Sequence, residues 1–60
     1  SINTASLEQL CILPGIGPST AQKIIDYREA NGLFRTINEL TNVKGIGPAK
    51  LDKIRDLIIL

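Results

Sequence analysis

Gly15-Ile16-Gly17-Pro18 returns further along the chain as Gly45-Ile46-Gly47-Pro48. The repeat is wider than the tetrapeptide. Sliding Ser6–Tyr27 by 30 positions onto Thr36–Leu57 aligns eight identical pairs: Leu10/Leu40, Gly15/Gly45, Ile16/Ile46, Gly17/Gly47, Pro18/Pro48, Lys23/Lys53, Ile24/Ile54 and Asp26/Asp56. Leu7 with Ile37, Leu13 with Val43, Ala21 with Leu51 and Tyr27 with Leu57 stay apolar. One supersecondary unit is therefore used twice, at about 6–31 and about 36–57, within a single domain over 1–60.

Working outward from the hairpins, each copy predicts two helices. Ser6-Leu7-Glu8-Gln9 and Thr36-Ile37-Asn38-Glu39 read as capping boxes, a hydroxyl capping the helix start and a Gln or Glu three residues on reaching back. They predict helices over about Ser6–Ile12 and Thr36–Asn42. Pro18 and Pro48 suit a first helical position, where a missing N–H costs nothing. Helices over about Pro18–Ala30 and Pro48–Leu57 follow, the former stopped by Asn31-Gly32. Ala21, Ile24 and Ile25, with the stem of Arg28, fall on one face of the second helix; Leu51, Ile54, Leu57 and Ile58 are the inward set of the fourth. The apolar tail Ile58-Ile59-Leu60 is expected to pack or to continue in a longer protein. No strand pattern competes, so the fold class is all-α: two units related by a pseudo-twofold, in a small helical domain that resembles the SAM-like class.

Composition limits what such a domain does. A chain this short buries only about 60% of its unfolded surface. Cys11 is alone and there is no His, which excludes an internal disulfide and a Cys/His zinc site. Cys11 reads as a small core residue. Tyr27 and Phe34 are the only aromatics, too few for a platform that stacks single-stranded bases. No metal cluster or nucleophile–base pairing supports catalysis, so the chain reads as a non-enzyme. No stretch approaches the roughly 20 apolar residues that span a bilayer, and this segment itself is expected to make no membrane contact. The net charge is +1, but it is uneven: residues 43–60 carry Lys44, Lys50, Lys53 and Arg55 against Asp52 and Asp56, whereas residues 1–30 carry Lys23 and Arg28 against Glu8, Asp26 and Glu29. The second unit is expected to supply more of any phosphate attraction. The carboxylates Asp26, Glu29, Asp52 and Asp56 stand beside Lys or Arg and read as salt-bridging solvated faces.

The helix starts differ in kind. The first and third helices carry side-chain caps; the second and fourth begin Gly17-Pro18 and Gly47-Pro48, and Gly has no side chain to offer. First-turn amides of Ser19, Thr20, Ala49 and Lys50 are left without a cap, at the positive end of a helix dipole. Gly15 and Gly45 permit unusual dihedrals and a close approach. An anion site built from main-chain amides follows. The competing reading is a tight helix–helix turn whose amides are met by water. Two matched copies favour phosphate, because duplex DNA also has an approximate twofold between its strands. Ser19 and Thr20 add hydroxyls; Lys23, Lys44, Lys50 and Lys53 add charge. Ile16 and Ile46 at the hairpin tips are either core plugs or apolar contacts in a groove.

Leu13-Pro14-Gly15-Ile16-Gly17-Pro18-Ser19-Thr20-Ala21 and Val43-Lys44-Gly45-Ile46-Gly47-Pro48-Ala49 resemble helix-hairpin-helix motifs, and their pairing resembles the tandem helix-hairpin-helix domain. Ile2-Asn3-Thr4-Ala5-Ser6, Ile24-Ile25-Asp26-Tyr27-Arg28 and Asn31-Gly32-Leu33-Phe34 narrow the resemblance to the C-terminal DNA-binding domains of the ComEA-like competence DNA receptors. The resemblance covers essentially the whole chain. It implies sequence-independent binding of double-stranded DNA across the minor groove, in the uptake of DNA during natural transformation. It also implies an extracytoplasmic setting, periplasmic or cell-surface, behind an N-terminal anchor outside these residues, with other uptake proteins as partners. The implied contacts are Gly15, Gly17, Ser19 and Thr20, then Gly45, Gly47, Ala49 and Lys50. No cofactor is required; some related hairpins hold a monovalent cation through carbonyls, which here nominates Leu13 and Val43. Pro14 stands where the second hairpin has Lys44. Two other uses of the same fold compete: a DNA-targeting module of a repair or replication enzyme, and a structural or protein-interaction module.

Overall fold

The computed structural model describes residues 1–60, and its order is helix, hairpin, helix, connector, then the same again. Helix α1 (Leu7–Cys11) packs on α2 (Pro18–Asn31); a 3₁₀ helix (Ile37–Asn42) packs on α3 (Pro48–Ile54), and a 3₁₀ turn (Arg55–Leu57) closes the second unit. There are no strands. No helix is long and apolar enough to cross a membrane.

The repeat in the sequence is a repeat in the backbone. Leu13 accepts from the Ile16 amide and Val43 from the Ile46 amide, each at 3.1 Å. Gly17 and Gly47 share φ −95°, with ψ 179° and 176°. Gly15 and Gly45 take φ +77° and +100°, the left-handed region in which L side chains are strained. Gly45→Ala is therefore expected to lower stability by about 1 kcal/mol, a fall in melting temperature of roughly 4–8 °C for a domain this size. A thermal melt that does not move would show that the hairpin tolerates a β-carbon there.

The core obeys the same shift. Of eleven buried residues, eight form the pairs Leu10/Leu40, Ile16/Ile46, Ala21/Leu51 and Ile24/Ile54. Ile2, Phe34 and Val43 complete it. The two units thus share one interior, each supplying the same four positions, and neither buries its apolar face alone. Cys11 packs half-buried against this cluster.

Four expectations are corrected. The first capping box forms in full: Ser6 Oγ accepts from the Gln9 amide at 3.2 Å and Gln9 Oε1 from the Ser6 amide at 2.9 Å. The second does not, because Glu39 Oε1 accepts instead from the Arg35 amide at 3.2 Å, and Thr36 caps nothing. Ile37–Asn42 is accordingly a 3₁₀ helix rather than an α-helix. Its Asn and β-branched residues are weak α-formers, and Thr41 Oγ1 bonds back to the Asn38 carbonyl at 2.8 Å. The fourth helix gives out at Ile54, whose φ −110° and ψ −10° depart from α geometry. Leu57 is carried outward and is 60% exposed, while Ile58 is half-buried against the core. The salt-bridged faces reduce to one ion pair, Arg55 with Asp52 at 3.7 Å; Asp26 accepts from Gln22 Nε2 at 2.9 Å instead.

The segment before α1 is structural. Ile2 is fully buried. Arg28 donates to the carbonyls of Ile2 at 2.9 Å and Ala5 at 2.7 Å. Asn3 satisfies both main-chain groups of Phe34, accepting at 2.7 Å and donating at 3.0 Å. The Ile2 amide donates to the Ile59 carbonyl at 2.9 Å, tying the apolar tail to the start of the chain. Tyr27 stacks on Phe34, ring centres 5.1 Å apart, and accepts from Asn42 Nδ2. These polar ties hold the two ends and the connector of the small domain together, and none of them involves a hairpin glycine.

Candidate nucleic-acid interface

Both hairpins end in a helix that starts without a side-chain cap. The first helical bonds run from Ala21 to the Gly17 carbonyl at 2.9 Å and from Leu51 to the Gly47 carbonyl at 3.0 Å. The amides of Ser19 and Thr20, and of Ala49 and Lys50, precede those bonds and face outward at the positive ends of the helix dipoles. Ser6 provides the internal comparison: with φ −76° and ψ 168° it has nearly the conformation of Gly17 and Gly47, but its hydroxyl fills the amide site. A β-carbon at Gly17 or Gly47 would meet nothing within 4 Å, so the approach to these amides is open.

The two hairpins stand next to each other. Pro14 and Gly15 of the first line one shallow groove with Gly47, Ala49, Lys50 and Lys53 of the second. Of the residues read from sequence, Gly15, Gly17, Ser19, Gly45, Gly47, Ala49, Lys23, Lys44 and Lys53 are exposed, and Thr20 and Lys50 are half-buried. Lys23 and Lys44 lie outside the groove lining. None of the four lysines is in an ion pair, so their charge is free to meet a ligand. Pro14 was absent from the candidate contacts; its place beside Gly15 was the available signal.

Ile16 and Ile46 require a correction. The two residues are 4% and 3% exposed and belong to the core, because their amides turn back to Leu13 and Val43 and direct the side chains inward. Their side chains are therefore not offered to a ligand as an apolar wedge. The same turn bonds bear on the cation nominated for Leu13 and Val43. Each carbonyl accepts one hydrogen bond in the turn, from the Ile16 and Ile46 amides, and keeps a second lone pair. No group of His, Cys, Asp or Glu gathers to hold a metal.

Chemically, the face offers main-chain amides, two hydroxyls and lysine ammoniums, all able to donate, with no Arg, Asn or Gln among them to make the bidentate base contacts. That is the donor set for phosphate oxygens rather than for bases.

Residues 1–59 match the helix-hairpin-helix motif family. The chain is 52% identical over 58 residues to ComE operon protein 1 of Bacillus subtilis, covering 97% of this chain and 28% of that protein. It is 44% identical over 55 residues to endonuclease/exonuclease/phosphatase family domain-containing protein 1 of Xenopus laevis, covering 92% of this chain and 10% of that protein. It is 45% identical over 60 residues to an uncharacterized protein of Haemophilus influenzae, covering 98% of this chain and 54% of that protein. The chain thus spans between a tenth and about half the length of these relatives.

Proposed function

Since the chain belongs to the helix-hairpin-helix family, we propose that it binds double-stranded DNA through the backbone, without base specificity, as the DNA-capturing module of natural transformation. The observation that carries this reading is the pair of adjacent hairpins with near-identical backbones, each opening uncapped amides to solvent. Two anion sites related by a pseudo-twofold suit two phosphates on opposite strands, which supports a contact across the minor groove. The likeness to ComE operon protein 1 supports the assignment to competence. On that resemblance the module works outside the cytoplasm, held by an anchor beyond these residues and handing DNA to other uptake proteins. It performs no catalysis itself.

The likeness to the endonuclease/exonuclease/phosphatase family protein favours a second reading, a DNA-targeting module within a larger enzyme. Both readings require the same binding. The low net charge of +1 favours instead a protein-interaction module, and that reading requires none.

Fluorescence-anisotropy titration of labelled duplexes of unrelated sequence, at several salt concentrations, separates them. The expected result is similar affinity for every sequence, with a log–log salt slope of about −0.9 for each phosphate contacted. Absence of binding at low salt would overturn the proposal and make the hairpins structural turns.

A further inference from the structure

We propose that each hairpin's phosphate site is completed from the other unit: Lys50 on α3 brings its ammonium to the first hairpin, and Thr20 on α2 brings its hydroxyl to the second. The inference rests on the DNA-backbone reading above and specifies how the two hairpins act together.

The packing over the two left-handed glycines carries it. From the position a β-carbon would take on Gly15, Lys50 Cε lies 3.6 Å away and Cδ and Cγ each 3.9 Å. From the same position on Gly45, Thr20 Oγ1 lies 3.5 Å away and Cγ2 3.9 Å. Thr20 and Lys50 are equivalent under the 30-residue shift, as are Gly15 and Gly45, so the exchange is reciprocal. The lysine stem covers the first hairpin's glycine, and its ammonium, one bond beyond Cε, lies within about 5 Å of that point. Glycine is needed at both positions for its dihedral, and a side chain of the opposite unit lies at ordinary van der Waals distance from the flank of each.

Crossing also evens the charge. By sequence the second unit holds both Lys44 and Lys50, and the first hairpin has Pro14 where Lys44 would be. With Lys50 laid across Gly15, the first hairpin gains a lysine that its own sequence lacks, while Lys44 adjoins Gly45 in the second. Neither unit is then a complete site, and the domain grips two phosphates as one body.

A double-mutant cycle by duplex titration tests this. Gly17→Ser and Gly47→Ser place a hydroxyl over the amides of one hairpin at a time. Lys50→Gln keeps the stem over Gly15 and removes only the charge. It is expected to weaken binding about fivefold and to reduce the salt slope by about 0.9. In the Gly17→Ser background that loss is expected to shrink below about twofold, and in Gly47→Ser to persist. Thr20→Val should show the mirror pattern, its smaller loss vanishing only in Gly47→Ser. If the Lys50→Gln loss persists in Gly17→Ser, or vanishes in Gly47→Ser alone, each lysine serves its own unit or an outlying phosphate and the inference is overturned while DNA binding stands. A parent that binds no duplex, or a Gly17→Ser variant that binds as the parent does, overturns the underlying reading and this inference with it. Circular dichroism on every variant confirms that the comparison is among folded proteins.

Discussion

A Gly17→Asp, Gly47→Asp double variant is expected to be more stable than the parent and to lose duplex binding by well over a hundredfold. The two effects have one cause. Gly17 and Gly47 sit in the extended conformation that a side-chain N-cap adopts, as Ser6 does in the same chain, and a β-carbon there touches nothing. Aspartate is among the preferred N-caps, and its carboxylate bonds the first-turn amides and meets the positive end of the dipole. Each cap should add a few tenths of a kcal/mol over Gly, and the carboxylate's interaction with the dipole about 0.3–1 kcal/mol more, visible as a higher melting temperature. The same carboxylate occupies the place proposed for phosphate and repels any phosphate that approaches. Charge-assisted hydrogen bonds are worth roughly 1.5–3 kcal/mol, and two hairpins lost together amount to about two to four decades of affinity. Gly17→Ser with Gly47→Ser, which caps without adding charge, should show the same direction with a smaller loss. Binding that survives in a demonstrably capped, folded Asp variant would mean that DNA does not use these amides.

Stability and affinity moving in opposite directions is the informative part. Most substitutions that weaken binding in a small domain do so by unfolding it. Here two helix starts lack a side-chain cap, and under the proposed function their open amides are the phosphate sites. A residue that repairs the local structural defect should therefore destroy the function.

How much of this could be read from the chain follows from how local each determinant is. The hairpins were legible because glycine, proline and their spacing specify a backbone directly, and the repeat supplied a second copy to check it against. Ile24 and Ile54 were legible as core because helical spacing puts them on the inward faces of their helices. The 3₁₀ geometry of Ile37–Asn42 was not: Thr36 and Glu39 have the spacing of a capping box, but the carboxylate found the Arg35 amide first, a choice between neighbours that spacing does not decide. Arg28 and Asn3 were missed as ties because their partners lie 23–31 residues away. Lys50 was read with the unit that encodes it, since nothing in a linear pattern says that its stem lies over Gly15. In the site, then, main-chain features were visible and the placement of long side chains across the pseudo-twofold was not.

The hairpin isoleucines offer the other large effect. Ile16→Ala and Ile46→Ala are each expected to cost about 2–4 kcal/mol, because both side chains are almost fully enclosed and truncation leaves a cavity under the turn. A 60-residue domain has a total stability of roughly 3–9 kcal/mol, so either single variant should melt far below the parent and the double variant should be unfolded at room temperature. The distinction from an apolar wedge in a DNA groove is sharp. A wedge would leave stability nearly unchanged and reduce affinity. A plug does the reverse: urea titration should show the loss of stability, and the folded fraction of Ile16→Ala, held at low temperature, should bind duplex within a few-fold of the parent. The hairpin amides are aimed by the main chain of Ile16 and Ile46, which turns back to Leu13 and Val43 through its own hydrogen bonds. The isoleucine side chains fix how deeply that turn is seated. Their contribution to DNA binding is through the fold, and their substitution should be read in stability first.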